Sequence, residues 1–200
     1  MINLHVMIEG IAVITGILCV WFNVRQNILT WPTAIVSSAI FAVVFFDARL
    51  YTTMLLQGLF IVISIYGWRA WLTGGPEGGT LLVTRIKLKT SLLLSALLVL
   101  GTIGFIYILT SFAESNHPIL ESITTSLSVI ASWMAARKLL ESWLVWITTD
   151  LIYLGLYFVT ELYLTLLLYA LYLGLATSGY LQWRKSYLQS LSERNELSVL

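Results

Sequence analysis

The chain is 200 residues long; 58% of it is apolar and only 10% is charged. Soluble domains carry about 25% charged residues, so 11 basic and 10 acidic side chains with a mean hydropathy of +0.88 exclude an ordinary soluble domain. A net charge of +1, with no basic tract interleaved with aromatics, also excludes nucleic acid as a partner; the composition is that of an integral membrane protein.

A bilayer core about 30 Å thick calls for roughly 20 apolar residues per helix. Seven such stretches follow in chain order: 2–22, 28–46, 51–71, 91–112, 119–134, 143–160 and 162–183. They are too long for barrel strands and show no alternation of period two, so helices are predicted throughout. The start carries Glu9 and no basic n-region, so a cleaved signal peptide is not expected. The lone Cys19 has no intramolecular partner for a disulfide. Connections are short except for 72–90, which contains Gly74-Gly75-Pro76-Glu77-Gly78-Gly79, and 186–200 reads as a soluble tail.

Basic residues fix an expected orientation. Arg25, Arg69, Arg85, Lys87, Lys89, Arg137, Lys138, Arg184, Lys185 and Arg194 fall on one side of the sevenfold weave, and Arg49 falls on the other. Positive charge stays in the cytoplasm, which places the C-terminus inside and the N-terminus outside a cell (inner) membrane crossed many times.

The chain also repeats itself at an offset of 112 residues. Glu9 meets Glu121, Trp21 meets Trp133, Arg25 meets Arg137 and Trp31 meets Trp143. Phe46 then meets Phe158, Leu50-Tyr51 meets Leu162-Tyr163, Thr53 meets Thr165, Gly67 meets Gly179 and Trp71 meets Trp183. Each unit holds three spans, and the span between them restores the starting side. The expected fold is therefore all-α, with two parallel three-helix repeats joined by a linker helix, an arrangement common in transporters. The divisions expected are a first repeat over 1–71, a loop and linker helix over 72–113, a second repeat over 114–185 and a cytoplasmic tail over 186–200. A duplication kept only for packing is the alternative.

In the sixth span Trp143, Trp146, Asp150, Tyr153 and Tyr157 share one helical face. Asp150 sits near mid-span, where a carboxylate costs at least about 2.5–3.5 kcal/mol on insertion scales. No Lys or Arg lies deep in a span to pair with it, so the cation is expected to be the transported molecule. Aromatic faces beside a carboxylate suit a flat cationic ring, each Trp adding about 0.5–2 kcal/mol. Other readings stand beside this one: Trp143 as an interfacial belt residue, Asp150 protonated and bonded to a neighbouring helix. In the first unit Ser38 is opposite Asp150 with Ser37 beside it, and Pro32 is tolerated in the first helical turn. Gln57 and Ser64 share a face of the third span, Gln57 bonding either a ligand or another helix; Tyr169 is its counterpart in the seventh, followed by Tyr172 and Tyr180. Glu9 and Glu121, toward the outer helix ends, read as caps or interface residues rather than substrate contacts. Gly67 and Gly179 are expected to let the third helices approach neighbours closely.

The runs Trp31-Pro32, Leu50-Tyr51, Leu56-Gln57, Tyr66-Gly67-Trp68 with Trp71, Glu141-Ser142-Trp143 with Trp146 and Asp150, Leu162-Tyr163 and Gly179-Tyr180 resemble the Pnu family of vitamin transporters. The likeness spans nearly the whole chain. It implies a three-plus-one-plus-three helix arrangement like that of SWEET sugar transporters, diffusion facilitated without ion coupling or a cofactor, and trapping of the vitamin by a cytoplasmic kinase. Homotrimeric assembly is implied in the same way. Trp143 and Trp146 match the family's W-x-x-W substrate motif. Members that take up nicotinamide riboside often carry Asn where this chain has Asp150, and another near Ser37. A carboxyl group suits the aminopyrimidine of thiamine, whereas an Asn suits the riboside's carboxamide. The expected cargo is accordingly thiamine, with nicotinamide riboside the alternative and a substrate-binding subunit of a larger complex the second alternative.

Other membrane classes fail on specific residues. A retinal protein needs a mid-span lysine, but Lys87, Lys89, Lys138 and Lys185 lie at helix ends. An intramembrane protease needs paired deep aspartates or a deep Ser–His pair, yet Asp47, His5 and His117 are interfacial. No P-loop motif is present for a self-contained pump, and no enzyme activity is expected.

Overall fold

The computed structural model describes residues 2–47, 49–75, 79–112 and 117–197, without the side chains of 2–9, 194, 195 and 197. The side chains of His5, Glu9 and Arg194, and the whole of Pro76-Glu77-Gly78, lie outside that description. The described chain is helical: α1 (Ile2–Val24), α2 (Thr30–Asp47), α3 (Tyr51–Thr73), α4 (Leu88–Phe112), α5 (Pro118–Ala136), α6 (Ser142–Val159) and α7 (Tyr163–Leu197). Six of these are long and apolar enough to cross a membrane, and the side-chain-described part of α1, Gly10–Val24, is shorter. Their outer surfaces are lined by exposed Leu, Ile, Val and Phe, as expected where lipid is the solvent.

The offset of 112 is visible in the backbone. It carries the ends of α1 and α2 and the start of α3 onto those of α5, α6 and α7. Among the described residues, the four non-glycine residues with positive φ fall into two pairs at the same offset: Gln26 (53°) with Lys138 (49°), and Arg49 (61°) with Glu161 (59°). Each is followed by an amide that reaches back five residues, Asn27 to Phe22, Leu50 to Phe45, Leu139 to Met134 and Leu162 to Tyr157. These are Schellman closures, which satisfy end carbonyls through one left-handed residue. By contact α2 packs on α1 and α3, and α6 on α5 and α7, which groups these helices into two triplets, α1 to α3 and α5 to α7. Between them α3 packs on α5 and α1 on α7, while α4 leans on α5.

Two segments are more ordered than hydropathy alone implies. The segment read as a tail from Ser186 continues α7 to Leu197, because it contains no Gly or Pro to stop a helix. Gln26 Nε2 donates to Ser186 Oγ at 2.9 Å, and Tyr187 packs against the core. The long connection after α3 is also not a free loop. Val83 is 4% exposed, and Thr84 exchanges backbone hydrogen bonds with Lys138 and Leu140. Arg85 forms an ion pair with Glu141 at 2.9 Å, whose other oxygen accepts from the Ile86 amide. Hydrogen bonding to Glu141 holds the exposed Arg85 guanidinium still further above its ordinary range.

Candidate functional site

Between the triplets lies a cavity of about 960 Å³, at the upper end of ligand-site volumes. All nine residues singled out from the sequence line it: Ser37, Ser38 and Gln57 from the first triplet, Trp143, Trp146, Asp150, Tyr153, Tyr157 and Tyr169 from the second. They converge because each triplet turns its polar or aromatic stripe inward and its aliphatic residues outward.

Asp150 is 5% exposed and has no hydrogen bond or ion pair among the described residues. The reading in which it bonds a neighbouring helix is therefore not what the side chain does here. Trp143 is 1% exposed, its ring seated on Gly179, where a Cβ would lie 2.6 Å from the indole. A lipid-facing belt role does not fit that burial. Gly67 receives Trp31 in the same manner, so both glycines admit a tryptophan ring from the second helix of their own triplet. Ser37 donates to the Ala12 carbonyl at 3.0 Å and ties α2 to α1. Gln57 makes no hydrogen bond among the described residues, which leaves its amide to the cavity.

The wall beyond Asp150 is aromatic. Tyr153 stacks on Tyr157 at 5.8 Å, both meet Tyr169, at 4.5 and 5.2 Å, and Tyr169 meets Tyr172 at 5.7 Å. Tyr172 also lines the cavity, whereas Tyr180 packs against the core instead. Sequence reasoning set Glu121 aside as a cap or interface residue; the structure turns it to the cavity from the first turn of α5. Its carboxylate has no hydrogen bond or ion pair among the described residues. The signal was present, since Glu121, Thr125, Ser128 and Ser132 all line the cavity at helical spacing. Among the described residues no group of His, Cys, Asp and Glu is placed to hold a metal.

This arrangement can hold a flat cation: a desolvated carboxylate at mid-depth, a tryptophan one turn away, and unpaired amide and hydroxyl groups opposite. Known proteins resemble the chain over most of its length. The nicotinamide riboside transporter PnuC of Neisseria mucosa is 29% identical over 191 residues, covering 89% of this chain and 72% of its own. PnuC of Escherichia coli is 24% identical over 204 residues, covering 90% and 85%. The crystal structure of the vitamin B3 transporter PnuC superposes with a TM-score of 0.72 at 25% identity, over 92% of this chain and 83% of that one. A multi-pass membrane protein and a transporter rather than an enzyme, the chain belongs to the nicotinamide mononucleotide transporter family, whose model matches residues 6–185.

Proposed function

We propose that the protein carries nicotinamide riboside through the inner membrane by facilitated diffusion. The observation behind this reading is the buried, unpaired Asp150 beside Trp146 in a cavity of suitable size, together with relatives that are nicotinamide riboside transporters. The pyridinium ring stacks on Trp146 with its charge toward Asp150, and Gln57 and the serines of the first triplet bond the ribose and carboxamide. The architecture proposed is three-plus-one-plus-three, two like-oriented triplets about an axis along the membrane normal, with the basic helix ends and the C-terminus in the cytoplasm. A cytoplasmic kinase keeps the gradient inward by phosphorylating the cargo, and the protein assembles as a homotrimer.

Thiamine is the second reading, and Asp150 is the specific observation in its favour. A carboxylate bonds an aminopyrimidine through paired contacts, and it neutralises the thiazolium equally well. The relatives reverse the order that the residues alone favour. Purified protein in liposomes, loaded with a vitamin kinase and offered each labelled compound, distinguishes the two: riboside uptake above thiamine uptake is expected. Thiamine uptake alone overturns the first reading, and uptake of neither overturns both. Asp150→Asn is expected to shift preference further toward the riboside.

A further inference from the structure

At the basic end of the bundle the cavity stops against four tryptophans. Trp31 meets Trp71 edge-on at 5.3 Å and 89°, and Trp143 meets Trp183 edge-on at 5.4 Å and 90°. Trp71 and Trp183 touch each other at 5.9 Å. Their hydrogen bonds cross between triplets: Trp71 Nε1 donates to the Ala135 carbonyl at 3.1 Å, and Trp183 Nε1 to the Asn23 carbonyl at 3.0 Å. Donors and acceptors are each related by the offset of 112, so one contact is made twice. Each third helix is thereby fastened to the first helix of the other triplet. Below this layer Lys138 lies over the Trp71 ring at 4.4 Å and donates to Gln26 Oε1 at 3.2 Å.

The two ends of the cavity differ. At the tryptophan end Thr30, Trp31, Ala135, Trp143 and Ala176 line it, all 5% exposed or less. At the far end it reaches Thr160 and Leu162, both exposed. The closed end is also incomplete as a static core. Among the described residues Trp31 Nε1 and Trp143 Nε1 are buried without hydrogen-bond partners, and a buried unmet donor narrows the gap to any arrangement that satisfies it. Among the described residues no ion pair crosses this end, since Arg85–Glu141 joins the linker to α6. Trp143 touches both Trp183 and the cavity, so a ligand beside it bears on the closure directly.

We propose that Trp71 and Trp183 form a gate across the basic end of the pathway, bolted by their crossed hydrogen bonds to Ala135 and Asn23, with Lys138 over Trp71 as its latch. Passage requires both indoles to leave together, because each bolt joins the same two triplets. This assignment is independent of which vitamin is carried.

The single cysteine of the chain provides the test. Cys19 lines the cavity, about one helical turn from Asn23. A membrane-impermeant methanethiosulfonate is applied to ligand-free protein in vesicles of known sidedness. Modification from the face opposite the basic end is expected to be at least tenfold faster than from the basic face. Trp71→Ala and Trp183→Ala are each expected to raise the basic-face rate at least tenfold while leaving the opposite-face rate within twofold. Equal rates from both faces in the unaltered protein overturn the gate, as does modification from neither face by both Cys19 and a Ser132→Cys reporter placed in a Cys19→Ser background. Where the alanine variants also lose opposite-face modification, Trp71→Phe and Trp183→Phe decide, since they keep an aromatic ring in place and remove the N–H that makes the bolt. A threefold rise from the basic face supports the proposal, and no rise overturns it.

Discussion

The two helix triplets share a backbone and divide the chemistry. At matched cavity positions Ala34, Ser38, Phe41, Phe45, Gln57 and Phe60 in the first correspond to Trp146, Asp150, Tyr153, Tyr157, Tyr169 and Tyr172 in the second. Even the ring stacking is duplicated: Phe41 on Phe45 at 5.9 Å, Tyr153 on Tyr157 at 5.8 Å. What differs is polarity. At these six positions the first triplet supplies shape and neutral groups, while the second supplies the charge, a further tryptophan and the phenol hydroxyls. The positions that turn helices and seat tryptophans match between the triplets, and the inward faces do not.

Stripping the acidic position and its neutral counterpart is expected to separate the two triplets most. Truncating one partner of a buried charged pair costs about 2–5 kcal/mol, so Asp150→Ala is expected to weaken riboside binding by roughly a hundredfold. Ser38→Ala is expected to stay within about threefold. Titration calorimetry on purified protein reads both, and equal losses would abolish the proposed asymmetry.

A second pair probes what the triplets hold in common. Ala at Gly67 or Gly179 drives a methyl group into the Trp31 or Trp143 ring. Overpacking of this kind costs about 1–3 kcal/mol, and similar falls in Tm are expected from both substitutions. Binding is expected to suffer more in Gly179→Ala, because Trp143 adjoins Trp146 and Asp150. The hydroxyls come next. Tyr157→Phe is expected to lose about 0.5–1.5 kcal/mol of binding, and Phe45→Tyr, its mirror, to gain none.

The smallest effect separates Gln26 from Lys138, equivalent turn residues of which only one ionises. Lys138, in the turn between α5 and α6, is pushed down from 10.5 to about 8 by burial. Between those values the unfolded chain binds a proton that the folded chain has released, so stability rises with pH across that window. The pH-dependent gain in Tm above 8 is expected to shrink in Lys138→Gln, compared by fluorescence-monitored melting.

Much of this was legible in the sequence, for identifiable reasons. Bilayer thickness dictates helix length, so bounds read from hydropathy fall within a few residues of those of α1 to α6. The stripe on α6 was legible because a charge among lipid-compatible residues has to face inward. The end of α7 was not: polar residues from Ser186 onward match a solvated tail and a helix projecting from the membrane equally well. That Glu121 also lines the cavity depends on rotation about α5 as well as on depth along it. The crossed tryptophan bonds were invisible for a different reason. Their acceptors are backbone carbonyls at Asn23 and Ala135, whose side chains give no hint of the role.

The connection between the triplets has one more implication. Residues 81–86 are held by the Trp71 carbonyl at one end and by Glu141 at the other, with Thr84 paired to the α5–α6 turn between them. It is a splint and not a tether. Lengthening it would transmit torque to the start of α6 instead of being absorbed as slack, so the joint between the triplets acts as a working part and not as a spacer.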